Sequence, residues 1–160
     1  MIMENKLSLE ELNNVSEIDI VYKKKVNCKV SERPLIKSSS DVYEILLHYW
    51  DKDKIDLLEE FKVLFLNRSN RVLQIYNVSS GGITGTVADP RLILAAALKV
   101  AACSMMLAHN HPSTSLKPSR ADEELTSKIK YAAQFHDIKV LDHVIVSSEG
   151  YYSFADEGVL

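Results

Sequence analysis

A short apolar segment between two helical patterns constrains the fold of this chain more than any other feature. Residues 103–108 form an apolar run of strand length that ends in a polar turn, which predicts a buried strand. Before it, Asp89 and Pro90 predict the start of a helix that continues to about Ala102. After it, Ser119 occupies the predicted N-cap of another helix. A buried strand enclosed by helices indicates an α/β domain.

The rest of the chain supplies further strands and one more helix. Residues 61–66 and 72–78 flank a polar turn and predict a β-hairpin. The polar residues 38–41 offer caps for a helix that continues through Trp50. The order β-α-β-β-α-β-α-β-β predicts a mixed sheet with helices on both faces. The remaining predicted strands are residues 17–25, 138–146 and 150–154.

Two histidines stand where the central strand meets a polar turn. His109 and His111 are two positions apart, and side chains at that spacing share one face of an extended chain, so the two imidazoles should converge. Asp122 lies in the first turn of the following helix, and the loop at 112–118 is long enough to bring it back to them. Two imidazoles and a carboxylate, with no obvious fourth ligand, are typical of an open zinc site.

Ser119 and Asp122 also allow an interpretation without metal. Ser-x-x-Asp is close to a capping box, in which the acid accepts a hydrogen bond from the N-cap backbone. A single His-x-His is likewise weak evidence when it stands alone. The conjunction of the two patterns, with Pro112 and Pro118 stiffening the connection, favours a metal site. From the residues alone, both interpretations stay open.

The pattern His109-x-His111-Pro112, followed by Pro118-Ser119-x-x-Asp122, resembles the metal-binding motif of the JAMM (MPN+) metalloproteases in the form found in bacterial RadC proteins. The resemblance implies an α/β, three-layer MPN/JAB fold, similar to cytidine deaminase, with a mixed sheet flanked by helices. It covers about 36–160 as a RadC-type MPN/JAMM domain, which leaves 1–35 as an N-terminal arm with one strand. Segments that resemble RadC in the same order are 59–67, 81–87, 89–91, 107–112 and 140–146.

The same resemblance implies the roles of individual residues. His109, His111 and Asp122 would bind Zn²⁺, and Ser119 would help to stabilise an oxyanion, a role compatible with N-capping. An upstream acid would act as general base on the attacking water. Glu59 and Glu60 are the two candidates, and a gap-free alignment that counts back from the 61–66 strand favours Glu59. The two acids point to opposite faces if the strand includes them, so only one can serve.

The resemblance therefore predicts a zinc-dependent metallohydrolase that cleaves an amide, peptide or isopeptide, in a protein or peptide substrate. The alternative is a non-catalytic binding module associated with DNA metabolism. The net charge of −3 argues against strong contact with DNA. Residues 1–35 are too few and too polar for the helix-hairpin-helix region of many RadC proteins, so we expect a short form. A zinc deaminase is disfavoured, because no His-x-Glu is followed by Pro-Cys-x-x-Cys.

Composition sets the remaining expectations. A chain of 160 residues with 46% hydrophobic content is expected to form one packed domain. Lys99 and Ser104 interrupt the apolar stretch at 92–108, which argues against a membrane span. Residues 1–14 lack the apolar region of a signal peptide, so we expect a cytoplasmic protein. The apolar helices and the N-terminal strand could support a homodimer.

Three further polar residues receive structural interpretations. Cys103 lies at the far end of the strand from His109, and we expect it to pack in the core rather than to bind metal. Asp142 and His143 are adjacent in an otherwise apolar strand. We favour ordinary hydrogen-bonded strand residues, although one of them could orient a metal ligand.

Overall fold

The structure of the chain is a computed structural model that describes residues 8–9, 13–14, 28–82 and 87–160. The strand predicted at 17–25 lies outside the described residues. Within them, one sheet has the strand order β2-β1-β3-β4-β5. Its strands are β1 (Glu60–Leu66), β2 (Val72–Ser80), β3 (Ser104–Asn110), β4 (Lys139–Val146) and β5 (Tyr151–Ser153). The helices that flank it are α1 (Ser39–Tyr49), α2 (Pro90–Lys99) and α3 (Arg120–Gln134).

The predicted mixed sheet is confirmed, and its pairing determines where polar groups can gather. Strands β3 and β4 are parallel, whereas β1 pairs antiparallel with both β2 and β3. Helix α3 connects the two parallel strands across one face of the sheet. Every residue of β3 is buried, as expected for a central strand covered on both faces. The carboxyl ends of β3 and β4 therefore lie side by side at the same end of the sheet, next to the start of α3.

Helices cover both faces, which gives the three layers expected of a JAB-type fold. Alternate residues of β1 point to opposite faces. Leu64 and Leu66 pack in the core under α1, while Val63 and Phe65 pack in the core under α2 and α3. Each large apolar side chain that is fully buried in this way stabilises the fold by about 1.5–3 kcal/mol.

The starts of the helices agree with the capping signals in the sequence. Ser38 accepts a hydrogen bond from the backbone N–H of Asp41, whose carboxylate accepts one from the N–H of Ser38. Asp89 caps α2, with Pro90 at the first helical position. That helix ends at Lys99 rather than near Ala102, because Ala101 adopts a left-handed conformation with φ of 54° that turns the chain into β3.

The core-packing prediction for Cys103 is wrong, since this side chain is exposed. Its backbone already belongs to the sheet, donating to the carbonyl of Leu66 and accepting from the N–H of Lys139. The buried part of the strand begins one residue later, at Ser104. In the part of the chain that the structure describes, no helix combines the length and apolar character needed to cross a membrane.

Candidate metal centre

His109 and His111 converge at the carboxyl end of β3. His109 is the penultimate residue of the strand and is 1% exposed, with its ring parallel to that of Phe61. His111 follows the strand, but its N–H still donates to the carbonyl of Val146, which keeps the chain extended. The two Nε2 atoms are 2.9 Å apart. The predicted convergence of the imidazoles is therefore present.

The loop after β3 orients the ring of His111. Its Nδ1 lies 2.6 Å from the carbonyl oxygen of Ser115. A carbonyl can only accept a hydrogen bond, so Nδ1 carries the proton and Nε2 of the neutral ring keeps its lone pair. The same loop includes a turn in which Thr114 donates to the carbonyl of His111. This short local network leaves His111 Nε2 as an acceptor that faces His109.

Asp122 joins the histidines from the first turn of α3 and uses its two oxygens differently. Oδ2 accepts hydrogen bonds from Ser119 N and Ser119 Oγ, both at 2.7 Å, while Ser119 Oγ accepts from Asp122 N. Oδ1 lies 3.4 Å from His109 Nε2. The capping box and the approach to the histidines thus occur together, so the two interpretations of Ser-x-x-Asp are compatible.

The environment of Asp122 keeps its carboxylate ionised. Burial, the largest influence, raises the pKa of this group, but the adjacent His109 ring and the hydrogen bonds from Ser119 favour the anion and outweigh it. The pKa of Asp122 consequently lies well below its usual value. A carboxylate in this state is a hydrogen-bond acceptor and an anionic metal ligand across the physiological pH range.

The three residues fit a metal ion in both geometry and chemistry. One ligand atom from each of His109, His111 and Asp122 lies within 4.8 Å of the others. Tetrahedral zinc with bonds near 2.05 Å places its ligand atoms about 3.3 Å apart. The separations are 2.9 Å between the histidines, 3.4 Å between His109 and Asp122, and 3.9 Å between His111 and Asp122, which lie on both sides of that value. Imidazole nitrogen and carboxylate oxygen are also donors that Zn²⁺ accepts readily.

The two candidate acids lie in different surroundings. Glu60 is buried, with Oε2 3.0 Å from Lys62 Nζ, although not in good hydrogen-bond alignment, and Oε1 accepting from Ser80 Oγ. Phe61 pairs with His109 across the sheet. Glu59 immediately precedes β1, but its backbone hydrogen bonds with Gly81 and Gly82 continue the antiparallel pairing. A step of two residues from Phe61 therefore puts Glu59 on the face of the histidines, and a step of one puts Glu60 on the other face.

Asn110 holds the segment that leads to the acids. It lies between the two histidines in sequence, and its side chain is directed to the face of the sheet opposite theirs. Its Oδ1 accepts from the N–H of Glu60 at 2.7 Å, and its Nδ2 donates to the carbonyls of Ile55 and Leu58. These hydrogen bonds hold the segment 55–60, which includes the partly buried Glu59, against the end of β3.

Of the polar pair on β4, His143 contacts the histidine cluster and Asp142 does not. His143 Nε2 lies 2.8 Å from His109 Nδ1, and His143 Nδ1 lies 2.5 Å from Thr126 Oγ1. Asp142 accepts instead from Ser153 Oγ and from the N–H of Ala155. Both are hydrogen-bonded strand residues, as favoured, and His143 in addition contacts a candidate metal ligand, as the alternative expected of one of the two. Sequence reasoning missed Thr126, whose spacing of four from Asp122 on one helix was the available signal.

Comparison with known proteins identifies relatives along most of this domain. The chain is 50% identical over 101 residues to a UPF0758 protein of Flavobacterium johnsoniae, which is 63% of this chain and 44% of that protein. A UPF0758 protein of Variovorax paradoxus is 39% identical over 133 residues, 82% of this chain and 57% of that protein. The chain thus spans about half the length of the curated relatives that it matches.

The family assignment rests on a longer match. The family described as the RadC-like JAB domain matches residues 36–159, which include the whole sheet and the histidine–aspartate cluster. This range nearly coincides with the part of the chain in which the sequence resembles RadC. The chain therefore belongs to the RadC family and contains its JAB-type domain.

Proposed function

We propose that this domain is a zinc-dependent hydrolase that cleaves an amide bond, peptide or isopeptide, in a protein or peptide substrate. The observation that carries the proposal is the convergence of His109, His111 and Asp122 at the open edge of the sheet. Membership of a JAB-type family supports the same reaction class. Three protein ligands leave one position for water or substrate, as in catalytic rather than structural zinc sites.

The proposed reaction divides the chemistry between the metal and the protein. His109, His111 and Asp122 would hold a zinc ion, which would supply the Lewis acidity that activates water near neutral pH and polarises the scissile carbonyl. Glu59 accepts the proton of the attacking water and then donates it to the leaving amine. For this role its carboxylate must lie within hydrogen-bond distance of both groups. Its position on the face of the histidines, opposite the ion-paired Glu60, supports this assignment.

Ser119 is the proposed donor to the oxyanion that forms on the substrate. It is exposed, and its hydroxyl currently donates to Asp122 Oδ2. Rotation of the hydroxyl toward a substrate would leave Asp122 Oδ2 bonded to the backbone N–H of Ser119. The donor can therefore turn without releasing the carboxylate. Removal of one such donor typically lowers kcat by about 10²–10³-fold.

A pair of measurements on Glu59→Gln tests the proposal. Zinc affinity is measured by competition with a chelator, and cleavage is measured on libraries of peptides and of isopeptide-linked peptides. We expect zinc affinity to stay within about threefold of wild type and cleavage to fall by at least about 10²-fold, the usual contribution of a general base. Asp56→Asn removes an exposed acid from the same segment and serves as the control, with both properties unchanged.

Two outcomes would overturn the proposal. Zinc-loaded wild-type protein that cleaves neither kind of bond would remove the hydrolase assignment. Full activity in Glu59→Gln would remove Glu59 as the proton carrier. If activity were instead lost in Glu60→Gln with folding and zinc binding intact, the roles of the two acids would be reversed.

A further inference from the structure

We propose that His143 and Thr126 form a positioning relay that fixes the proton of His109 on Nδ1, so that its Nε2 lone pair is held toward the metal position. This inference concerns the same site as the proposed function, and its importance for catalysis rests on that proposed function. The relay itself is a property of the metal-free chain, which makes it testable without activity. Its members come from three elements: β3, β4 and α3.

The direction of the hydrogen bonds is set at Thr126. Its hydroxyl donates to the backbone carbonyl of Asp122 at 2.6 Å. A hydroxyl has one proton, and the carbonyl can only accept. Toward His143 Nδ1, 2.5 Å away, Thr126 Oγ1 must therefore accept. The proton of that hydrogen bond belongs to His143 Nδ1.

The next step passes through the ring of His143. This side chain is fully buried, with its ring stacked on Phe154 and close to Phe61. An imidazolium in such apolar surroundings would carry a large desolvation cost, so the neutral ring with a single proton is favoured. Because that proton is on Nδ1, His143 Nε2 is an acceptor. His109 Nδ1, at 2.8 Å, must then be the donor.

The consequence appears at the metal cluster. A neutral His109 that carries its proton on Nδ1 presents a lone pair at Nε2. His111 does the same, because its Nδ1 donates to the carbonyl of Ser115. Two lone pairs and the Asp122 carboxylate thus face one another at 2.9–3.9 Å without a proton donor among them. Such an arrangement of acceptors favours the binding of a cation, and both histidines are in the tautomer that binds one.

The relay also joins two ligands mechanically. Thr126 contacts the backbone of Asp122 within α3, while His143 contacts the ring of His109 on β3. The first turn of α3 is thereby connected to the end of the strand by a chain of buried hydrogen bonds. Hydrogen-bond partners of metal-ligating histidines typically change metal affinity by about 10–100-fold when they are removed.

The first test reads the tautomers directly. Long-range ¹⁵N–¹H NMR spectra of the metal-free wild-type protein distinguish Nδ1–H from Nε2–H in each neutral histidine ring. We expect Nδ1–H for both His109 and His143. Finding the proton of His109 on Nε2 would overturn the proposal, whatever the behaviour of any variant.

The second test uses matched variants at Thr126. Thr126→Val keeps the shape of the side chain and removes the hydroxyl, whereas Thr126→Ser keeps the hydroxyl. We expect Thr126→Val to shift His143 and His109 toward mixed tautomers and to weaken zinc binding by about 10-fold or more. Thr126→Ser should restore the wild-type spectrum and stay within about threefold in zinc affinity. Circular dichroism and thermal melting verify that each variant is folded.

The outcomes separate this inference from the proposed function. A folded Thr126→Val protein with wild-type tautomers and zinc affinity would overturn the relay but leave the hydrolase proposal standing. Wild-type protein that binds zinc through the predicted tautomers yet cleaves no amide would do the reverse. If Thr126→Val failed to fold, the tautomers of the wild type and the zinc affinity of Thr126→Ser would still decide the matter.

Discussion

Among the residues that the structure describes, a Ser-x-x-Asp capping box occurs twice, at the start of α1 and at the start of α3. Ser38 and Asp41 form a capping box, and Ser119 and Asp122 form another with the same reciprocal pair of hydrogen bonds. In the first box the second carboxylate oxygen has no histidine beside it, whereas Asp122 Oδ1 lies 3.4 Å from His109 Nε2. The motif therefore specifies only a helix start. What turns one of the two boxes into a candidate metal site is the strand end that packs against it.

Replacing the aspartate of each capping box by asparagine should give the largest difference between the two boxes, measured as the change in zinc Kd. Asp122→Asn removes the anionic ligand, and we expect the zinc Kd to rise by more than about 10²-fold, beyond the usual effect of an outer hydrogen-bond partner. Asp41→Asn should change the zinc Kd by less than about twofold, because Asp41 belongs to the opposite face of the sheet. Competition with a chelator measures both. Equal affinities in the two variants would mean that Asp122 is only a cap.

Replacing each serine by asparagine should separate capping from catalysis. Asparagine is about as good an N-cap as serine, so both Ser119→Asn and Ser38→Asn should keep the stability of wild type within a few tenths of a kcal/mol. Only Ser119→Asn loses the hydroxyl proposed to stabilise the oxyanion. We expect its kcat to fall by about 10²-fold and that of Ser38→Asn to be unchanged. Undiminished kcat in Ser119→Asn would restrict Ser119 to capping.

Only the second capping box is connected to a buried histidine, His143, and lowering the pH should destabilise the fold through this residue. Burial, followed by the proximity of the His109 ring, lowers the pKa of His143 well below its ordinary value. Below about pH 6.5 the unfolded chain takes up a proton there that the folded chain resists, so stability must fall as the pH falls. Between pH 7 and pH 5 this single group should cost about 2 kcal/mol in the free energy of unfolding.

The measurement compares metal-free wild type with His143→Gln by urea unfolding at the two pH values. Glutamine cannot titrate, so the pH-dependent loss of stability should be smaller in the variant by about the same 2 kcal/mol. His109 and His111 are present in both proteins, and the difference between the two therefore reports on His143. Identical pH profiles would show that the buried ring contributes nothing to the acid sensitivity of the fold.

Whether the sequence predicted a feature correctly depends on how far apart in sequence the contacting residues lie. The helix starts at Ser38, Asp89 and Ser119 depend on contacts within a few residues, and periodicity and capping found all three. The convergence of His109 and His111 is also local, since it needs only an extended backbone.

Other features depend on contacts between elements distant in sequence, and these were missed or misjudged. His143 meets His109 only because β4 pairs in parallel with β3, in a register that no local pattern encodes. Thr126 gains its role from that same packing. Cys103 looked like a core residue because it continues an apolar run, but its side chain is exposed and burial begins one position later, at Ser104. Local propensity thus located the helices and strands, whereas their packing determined which side chains contact one another.

Truncating each serine should give the smallest effect, and it tests whether the two boxes are equal as caps. Ser38→Ala and Ser119→Ala each lose the acceptor for a backbone N–H, which costs about 1 kcal/mol in the free energy of unfolding. Urea unfolding of the metal-free variants measures both losses. Ser119 also donates its hydroxyl to Asp122 Oδ2 at 2.7 Å, so a greater loss at this position would show that the hydrogen bond stabilises the fold beyond capping. If Ser38→Ala lowered the free energy of unfolding and Ser119→Ala did not, the two boxes would not be equivalent as caps. The contacts that hold Asp122 beside His109 would then fix the start of α3 without the help of Ser119.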